Sequence, residues 1–384
     1  MQYSSSLSSK LPKVGTTIFS VMSALAKKEG AYNLSQGFPD FEVSPKLIEL
    51  VNQQMRLGMN QYAPMEGAIQ LREQVAIKTE KLYTAQYDPE KEITITAGGT
   101  QAIYTAITSI IREEDEVIIF TPAYDCYAPA IELSGGKPIY VPLKAPNYDI
   151  DWGEVKKLIN RRTRMILINT PHNPTGTIFT AEDMKHLEAI TRDNDIIILS
   201  DEVYEHITLD GYEHQSIARY PKLAERSFIV GSFGKSFHVT GWKTGFCLAP
   251  ENLMKEFRKV HQYVVFAVNT PIQMALAEFL KDEENYLHIS DMYQEKRDFF
   301  LNAIKGSRFT LSPSQGTYFQ LLNYSAITDE KDTDFAKRLT KEHRVASIPV
   351  SVFYHNPIHD NVLRFCFAKQ EETLEKAAEI LVKL

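Results

Sequence analysis

From about residue 90 to residue 250, short runs rich in β-branched residues alternate with helical or loop stretches, and this alternation constrains the fold more than any other feature of the 384-residue chain. The runs fall at 93–96, 117–120, 139–141, 165–169, 196–200, 228–230 and 245–248. Stretches such as 101–112, 151–160 and 181–193 separate them. Strands that are apolar throughout have both faces covered. Interleaved with helices, they predict a three-layer α/β architecture, a mostly parallel sheet with helices on both faces.

Past residue 280 the texture changes. The spacing predicts a long amphipathic helix over 284–305, short pieces at 309–311 and 317–323 around a turn at 314–316, a helix near 333–342, a strand over 362–368 and a last helix from 371. Segregated elements of this kind suggest a smaller α+β domain. The segment 17–28 has helical spacing and is expected to join it. A chain of this length exceeds one ordinary core. The layout expected is an N-terminal arm and part of the small domain at 1–45, a large domain at 46–280 and a small C-terminal domain at 281–384. The Ser-rich first nine residues read as a loose arm.

Composition excludes some roles. A net charge of -7 and a pI near 5.9 argue against a nucleic-acid partner, which wants a basic face. The three cysteines, Cys126, Cys247 and Cys366, form no CxxC pair, which fits a reducing compartment and neither a disulfide framework nor a zinc site. His172, His206 and His238 lack any HExxH-like spacing, so no metal is expected. No apolar stretch approaches the roughly 18 residues that span a bilayer. The first fifteen residues lack the apolar core of a secretory signal. The expectation is a cytoplasmic protein without a membrane partner.

In open α/β sheets ligands bind at the carboxyl ends of strands, so the residues following each run carry the chemistry. After 93–96 come Ala97-Gly98-Gly99-Thr100-Gln101, opening a helix. Glycines there let backbone N–H groups approach an anion, although a Gly-Gly turn also serves as a plain strand–helix connection. After 165–169 come two prolines and a glycine that fix a loop presenting Asn173; a self-capping turn reads equally well. Asp201 closes a fully apolar run, where a carboxylate is poorly hydrated unless a cation meets it or it caps the next turn. After 228–230, Lys235 lies among small and apolar residues. Desolvation and a neighbouring cation such as Lys243 would lower its pKa, and a neutral amine attacks aldehydes. Each feature alone admits a structural role; their succession at strand ends of one sheet joins them.

These segments, SFGKSFHVTGWKTG with NTPHNPTG and LSDEVYEH upstream, resemble the class I/II aminotransferases of the fold-type I pyridoxal-phosphate superfamily. The likeness runs from NLSQGFPDF to LRFCF. TTIFSVMSALA, NQYAPMEG and AYDCYAPAIELSGG are similar to the methionine and kynurenine/glutamine aminotransferase group. The resemblance implies that pyridoxal 5'-phosphate is held on Lys235 as an internal aldimine, and that Lys235 later moves the substrate proton. It implies Asp201 on the pyridine nitrogen, Tyr204 and Asn173 on the phenolic oxygen, and Tyr124 against the ring face. The phosphate would fall to the backbone of Gly99, Thr100 and Gln101, with Thr100, Ser232 and Lys243. Tyr62 would reach the phosphate of a neighbouring subunit, making a homodimer. Arg364 would grip the substrate carboxylate bidentately, Gly37 would lie against the substrate, and Phe19, Val268 and Asn269 would line its side-chain pocket with Tyr124.

Aspartate-specific relatives read a distal carboxylate with a second arginine, and the segment 264–271 offers none. The resemblance therefore implies ping-pong transamination of a long neutral amino acid with a 2-oxo acid. Methionine stands first, because a flexible thioether suits an aromatic slot, ahead of aromatic residues, Leu, Gln or kynurenine. A C–S β-lyase on the same scaffold is the alternative enzyme. A non-enzymatic regulator with a fused DNA-binding module is disfavoured, because the likeness already begins near residue 11.

Overall fold

The computed structural model describes residues 7–356 and 358–384, so the first six residues of the expected Ser-rich arm lie outside it. Its main sheet holds seven strands: β1 (Ile93–Thr96), β2 (Glu116–Thr121), β3 (Lys137–Pro142), β4 (Thr163–Asn169), β5 (Ile197–Asp201), β6 (Ser227–Ser232) and β7 (Gly245–Leu248). Their order is β1-β7-β6-β5-β4-β2-β3. Strands β2 to β6 pair in parallel, and β7 runs antiparallel to both of its neighbours. All seven expected runs are strands, with ends shifted by two residues at most. Ile166, Ile168, Ile198, Leu199, Phe228 and Val230 are fully buried. Covering both faces leaves no polar alternation along these strands, and each such side chain contributes about 1.5–3 kcal/mol on burial.

A second, antiparallel sheet comes from the C-terminal part: β8 (Phe319–Asn323), β9 (Ile348–Pro349) and β10 (Val362–Cys366), in the order β9-β10-β8. The N-terminal segment joins it. Helix α1 (Ile18–Glu29) starts at Thr17, whose hydroxyl accepts from Ser20 N, and ends at Gly30 in the left-handed region (φ 61°). It packs on the helix Asp332–His343, and Tyr32–Asn33 pairs in parallel with Val345–Ala346.

Three expectations about this part are corrected. The helix over 284–305 is two helices, Glu284–Leu287 and Ile289–Ala303, because His288 leaves helical geometry (φ -101°, ψ 12°) and bonds Glu284 and Asp291 instead. The piece at 309–311 contributes one bridge, Thr310 to Asn323. The strand over 362–368 stops at Cys366, after which Phe367 N donates to Tyr318 O at 3.0 Å. Among the described residues, no helix is long and apolar enough to cross a membrane.

Candidate active site

The register of the main sheet assembles the site. Gly245 pairs with Thr96 on one side and Ser232 on the other. Because β7 is reversed, the residues preceding it, including Lys243, sit at the carboxyl ends of β1 and β6. Asn169 and Asp201 are partners two strands further along, where β4 and β5 end. Carboxyl ends of parallel strands thus meet the start of the reversed one over a cavity of about 320 Å3.

At one end of that cavity, helix α2 (Gly99–Ile110) begins. Its cap residue Gly98 has φ +79°, and no side chain caps the helix. A Cβ on Gly99 would stand 2.8 Å from Val203 Cγ1. The first amides of α2 have no intrahelical acceptor, which makes the helix start an anion site. Thr100, Ser232 and Lys243 line the same end. Gln101 does not line the cavity. Its side chain turns back to accept from Ala97 N at 2.9 Å and also meets Thr105 and His261.

At the other end lies Asp201, 3 % exposed. It accepts from the Tyr127 hydroxyl at 2.6 Å and from Val203 N at 3.3 Å, with no cation in hydrogen-bond contact. Burial outweighs these donors and Lys235, and lifts its carboxyl to about 6. Sequence reasoning missed Tyr127; its signal was its place three residues after Tyr124, at the start of helix Tyr127–Leu133. Tyr124 lines the cavity edge-on to Tyr127, and burial lifts its hydroxyl to about 12.

Lys235 stands between, on a single helical turn, Phe233–Ser236, that follows β6. Burial lowers its ammonium to about 8, with Arg364 and Lys243 adding to the fall and Cys366 and Asp201 opposing it. Its Nζ donates to Tyr318 Oη at 3.1 Å and to Gly37 O at 3.3 Å. Tyr318 was also missed. Tyr204 lines the cavity, its ring perpendicular to that of Tyr318.

Arg364, in the middle of β10, comes from the small sheet and is 1 % exposed. It donates to Asn173 Oδ1 at 2.7 Å and to Ser35 O at 3.1 Å, while its buried Nε has no partner among the described residues. Its guanidinium carbon lies 3.8 Å from the Phe319 ring centre and 5.3 Å from that of Phe19. Asn173 is held in turn, its backbone N–H donating to Asn169 Oδ1 at 2.8 Å. Gly37 and Phe19 close the wall. A Cβ on Gly37 would meet Phe319 Cζ at 2.7 Å, so only glycine fits there.

Besides Gln101, three expected residues stand outside the cavity of this chain. Tyr62 is 82 % exposed and packs edge-on against Phe266 on the surface. Asn269 caps helix Thr270–Leu280, accepting from Ile272 N at 3.1 Å, and the Val268 carbonyl accepts from Gln273. A larger cavity of about 630 Å3, between residues 145–150, 175–180 and 310–315, has no lysine or arginine among the described residues of its lining. The histidines have local partners: His172 with Thr175, His206 with Lys78, His238 with Tyr293.

A buried acid, a buried amine and an uncapped helix start meet at the carboxyl ends of a parallel sheet, the parts of a group-transfer enzyme site. The pattern of the family described as aminotransferase class I and II matches residues 29–381, and the chain belongs to that family. It is an aminotransferase. Over 377 residues it is 50% identical to the methionine aminotransferase of Escherichia coli (strain K12), covering 98% of each chain. It is 34% identical to kynurenine--oxoglutarate transaminase 1 of Mus musculus, with 91% of each covered. A solved Escherichia coli structure, described as identifying a methionine aminotransferase function, superposes with a TM-score of 0.97 at 49% identity, covering 98% of this chain and 99% of that one. Members of the family depend on pyridoxal phosphate and act on amino and 2-oxo acids.

Proposed function

We propose that the chain binds pyridoxal 5'-phosphate through Lys235 and transaminates long, uncharged amino acids, methionine foremost, as a homodimer. One observation carries the reading: a buried carboxylate without a cation, a buried amine lowered to about 8, and an uncapped helix start share one cavity. That donor set fits a flat cationic ring with an aldehyde on one side and a phosphate tail. Asp201 would meet the ring nitrogen, Tyr204 and Asn173 the phenolic oxygen, and Tyr124 the ring face. The α2 amides with Thr100, Ser232 and Lys243 would take the phosphate. When bound, the cofactor supplies a carbonyl that carries the amino group and a ring that accepts electrons from the substrate carbon.

The chain's own residues do the rest. Asp201, ionised, keeps a proton on the cation opposite it. Arg364 binds the α-carboxylate with the donors left by Asn173 and Ser35. Lys235 Nζ would take the proton from the substrate Cα and return it two bonds away, on the carbon across the nitrogen. Donor and acceptor use the site in turn, because a single arginine receives both carboxylates. Among the described residues the cations lining the cavity are Lys235, Lys243 and Arg364, a set without a second arginine for a distal carboxylate, which favours a neutral side chain among Phe19, Tyr124 and Phe319. The relatives named for methionine and kynurenine support the same size class. Exposed Tyr62, Tyr263 and Phe266 form a surface fit for a second copy, from which Tyr62 would reach the partner's phosphate.

The test is optical. Purified enzyme should absorb in the visible, borohydride should fix the cofactor to the peptide containing residue 235, and Lys235→Ala should lose both properties and all turnover. An adduct that survives in Lys235→Ala would overturn the assignment. A panel of donors against 2-oxo acids should rank methionine above aspartate; ammonia release with no 2-oxo acid present would point instead to the β-lyase.

A further inference from the structure

One buried hydroxyl behind the cavity touches the reactive amine. Tyr318 is fully buried just ahead of β8, and its hydroxyl donates to Gly37 O at 2.6 Å. A phenol has one hydrogen, so with that hydrogen used its lone pairs accept from others. Lys235 Nζ supplies the donor, at 3.1 Å, and reaches Gly37 O as well at 3.3 Å. Two aromatic faces complete the surround: Nζ lies 5.6 Å from the Tyr204 ring centre and 5.7 Å from that of Tyr318, within the range of cation–π attraction.

The receiver belongs to the other half of the molecule. Leu34, three residues before Gly37, donates its N–H to Ala346 O and accepts from Cys366 N, and Phe367 N donates to Tyr318 O. Gly37 and Tyr318 are thus fixed to the small sheet, whereas Lys235 follows β6 of the large one. The amine is held across that junction.

Resting on the reading that Lys235 is the cofactor's anchor, we propose that Tyr318 is a positioning residue: with Gly37 O it receives Nζ whenever the amine is not covalently engaged, keeping it beside the substrate carbon. This gives the small sheet a direct hold on the proton-moving group. Free amine and apposed sheets favour each other, because the two oxygens reach Nζ only when both halves are in place.

The charged and titratable groups facing Nζ are Lys243, Arg364, Asp201, Cys366, Tyr204 and Tyr318 itself. Tyr318→Phe leaves the first five and the ring, and removes one acceptor from an ammonium N–H. Losing an acceptor disfavours the charged form, so the amine's pKa falls. Gly37 O, released from the phenol, recovers part of the contact. The net shift expected is therefore about one pH unit, at the low end for a hydrogen bond to a charged group.

The experiment needs no turnover. Cofactor-free protein is pulsed with acetic anhydride across a pH series, and acetylation of Lys235 is followed by peptide mass spectrometry. The half-labelling pH should fall by about one unit in Tyr318→Phe; an unmoved midpoint overturns the proposal. A structure of the unaltered enzyme with pyridoxamine 5'-phosphate, which has no aldehyde for the lysine, should put Nζ within about 3.5 Å of Tyr318 Oη. An amine turned elsewhere overturns it too, and this second measurement decides if the variant does not fold. A borohydride adduct persisting in Lys235→Ala sinks the anchor itself. That adduct lost, with the Tyr318→Phe midpoint unchanged, sinks only the role of Tyr318.

Discussion

Two buried carboxylates, four residues apart on one segment, have opposite surroundings. Glu205 faces away from the cavity, where Lys78 Nζ lies 2.5 Å from one oxygen and the Tyr83 hydroxyl 2.7 Å from the other. Burial pushes its carboxyl up, but Lys78, His206 and Tyr83 overcome this and take it down to about 2. Asp201 also has a tyrosine, Tyr127, yet no cation in contact, and burial wins. Between them Glu202 is satisfied on the far side by Ser200, His214 and the amide of Ile217. The segment therefore alternates, with 202 and 205 anchoring it and 201 and 204 facing the cavity. An acid whose cation is in the chain is structure; an acid whose cation is missing is a binding site.

The comparison is broken most forcefully at Glu205. Glu205→Gln leaves Lys78 buried without its carboxylate, which costs about 3–5 kcal/mol of folding stability. Denaturant melts should show that loss, while kcat/KM of the folded fraction stays within a few-fold of the parent. Asp201→Asn should do the reverse. With no cation to miss, the cofactor-free chain should be as stable as the parent or more so, and kcat/KM should fall by about 10²–10³-fold as the charge facing the cofactor disappears. If Asp201→Asn unfolds the chain and Glu205→Gln leaves it stable but inactive, the division of roles is wrong.

Acidity sharpens the contrast. Asp201 in the folded chain titrates near 6, above an ordinary aspartate at about 3.9. A raised carboxyl gives stability that is present below the unfolded value and lost as pH rises through the folded one. The cofactor-free protein should thus lose stability between about pH 4 and 6 on this account, by at most about 3 kcal/mol. Glu205 is depressed, so its contribution is present above about pH 4.5 and lost as pH falls toward 2. Thermal melts across pH should show Asp201→Asn without the first decline and Glu205→Gln without the second.

Much of this was legible in the sequence, for definable reasons. Buried parallel strands must be apolar throughout, so the seven runs stood out, and the breaks after them carried Asn173, Asp201 and Lys235 to one sheet edge. Arg364 could be placed only through the family likeness, since nothing local says that β10 crosses to the cavity. Tyr127 and Tyr318 escaped notice because each matters through contacts with residues distant in sequence, and apart from the spacing of Tyr127 from Tyr124 neither carries a local signal. Gln101 was expected to offer only its backbone amide to the anion, and its side chain closes the turn at Ala97. The interruption at His288 was hidden by an apolar spacing that runs on through it.

The smallest effect separates the two acids most finely, because each has a tyrosine. Tyr127→Phe keeps the ring beside Tyr124 and removes the 2.6 Å bond to Asp201 Oδ2. That bond favours the ionised acid, so its loss raises the carboxyl further, by about one unit. At neutral pH a larger share of Asp201 is then protonated and cannot face a cation. Cofactor retention should weaken about twofold at pH 7 and about tenfold below about pH 5, and the acid limb of kcat/KM should move up by about one unit. Tyr83→Phe takes the matching bond from Glu205, but Lys78 remains at 2.5 Å and keeps that acid ionised at every working pH. Its expected result is a stability loss of about 1–2 kcal/mol with an unmoved pH profile. Equal displacement of the profile by both variants would mean that the two carboxylates are not electrostatically distinct.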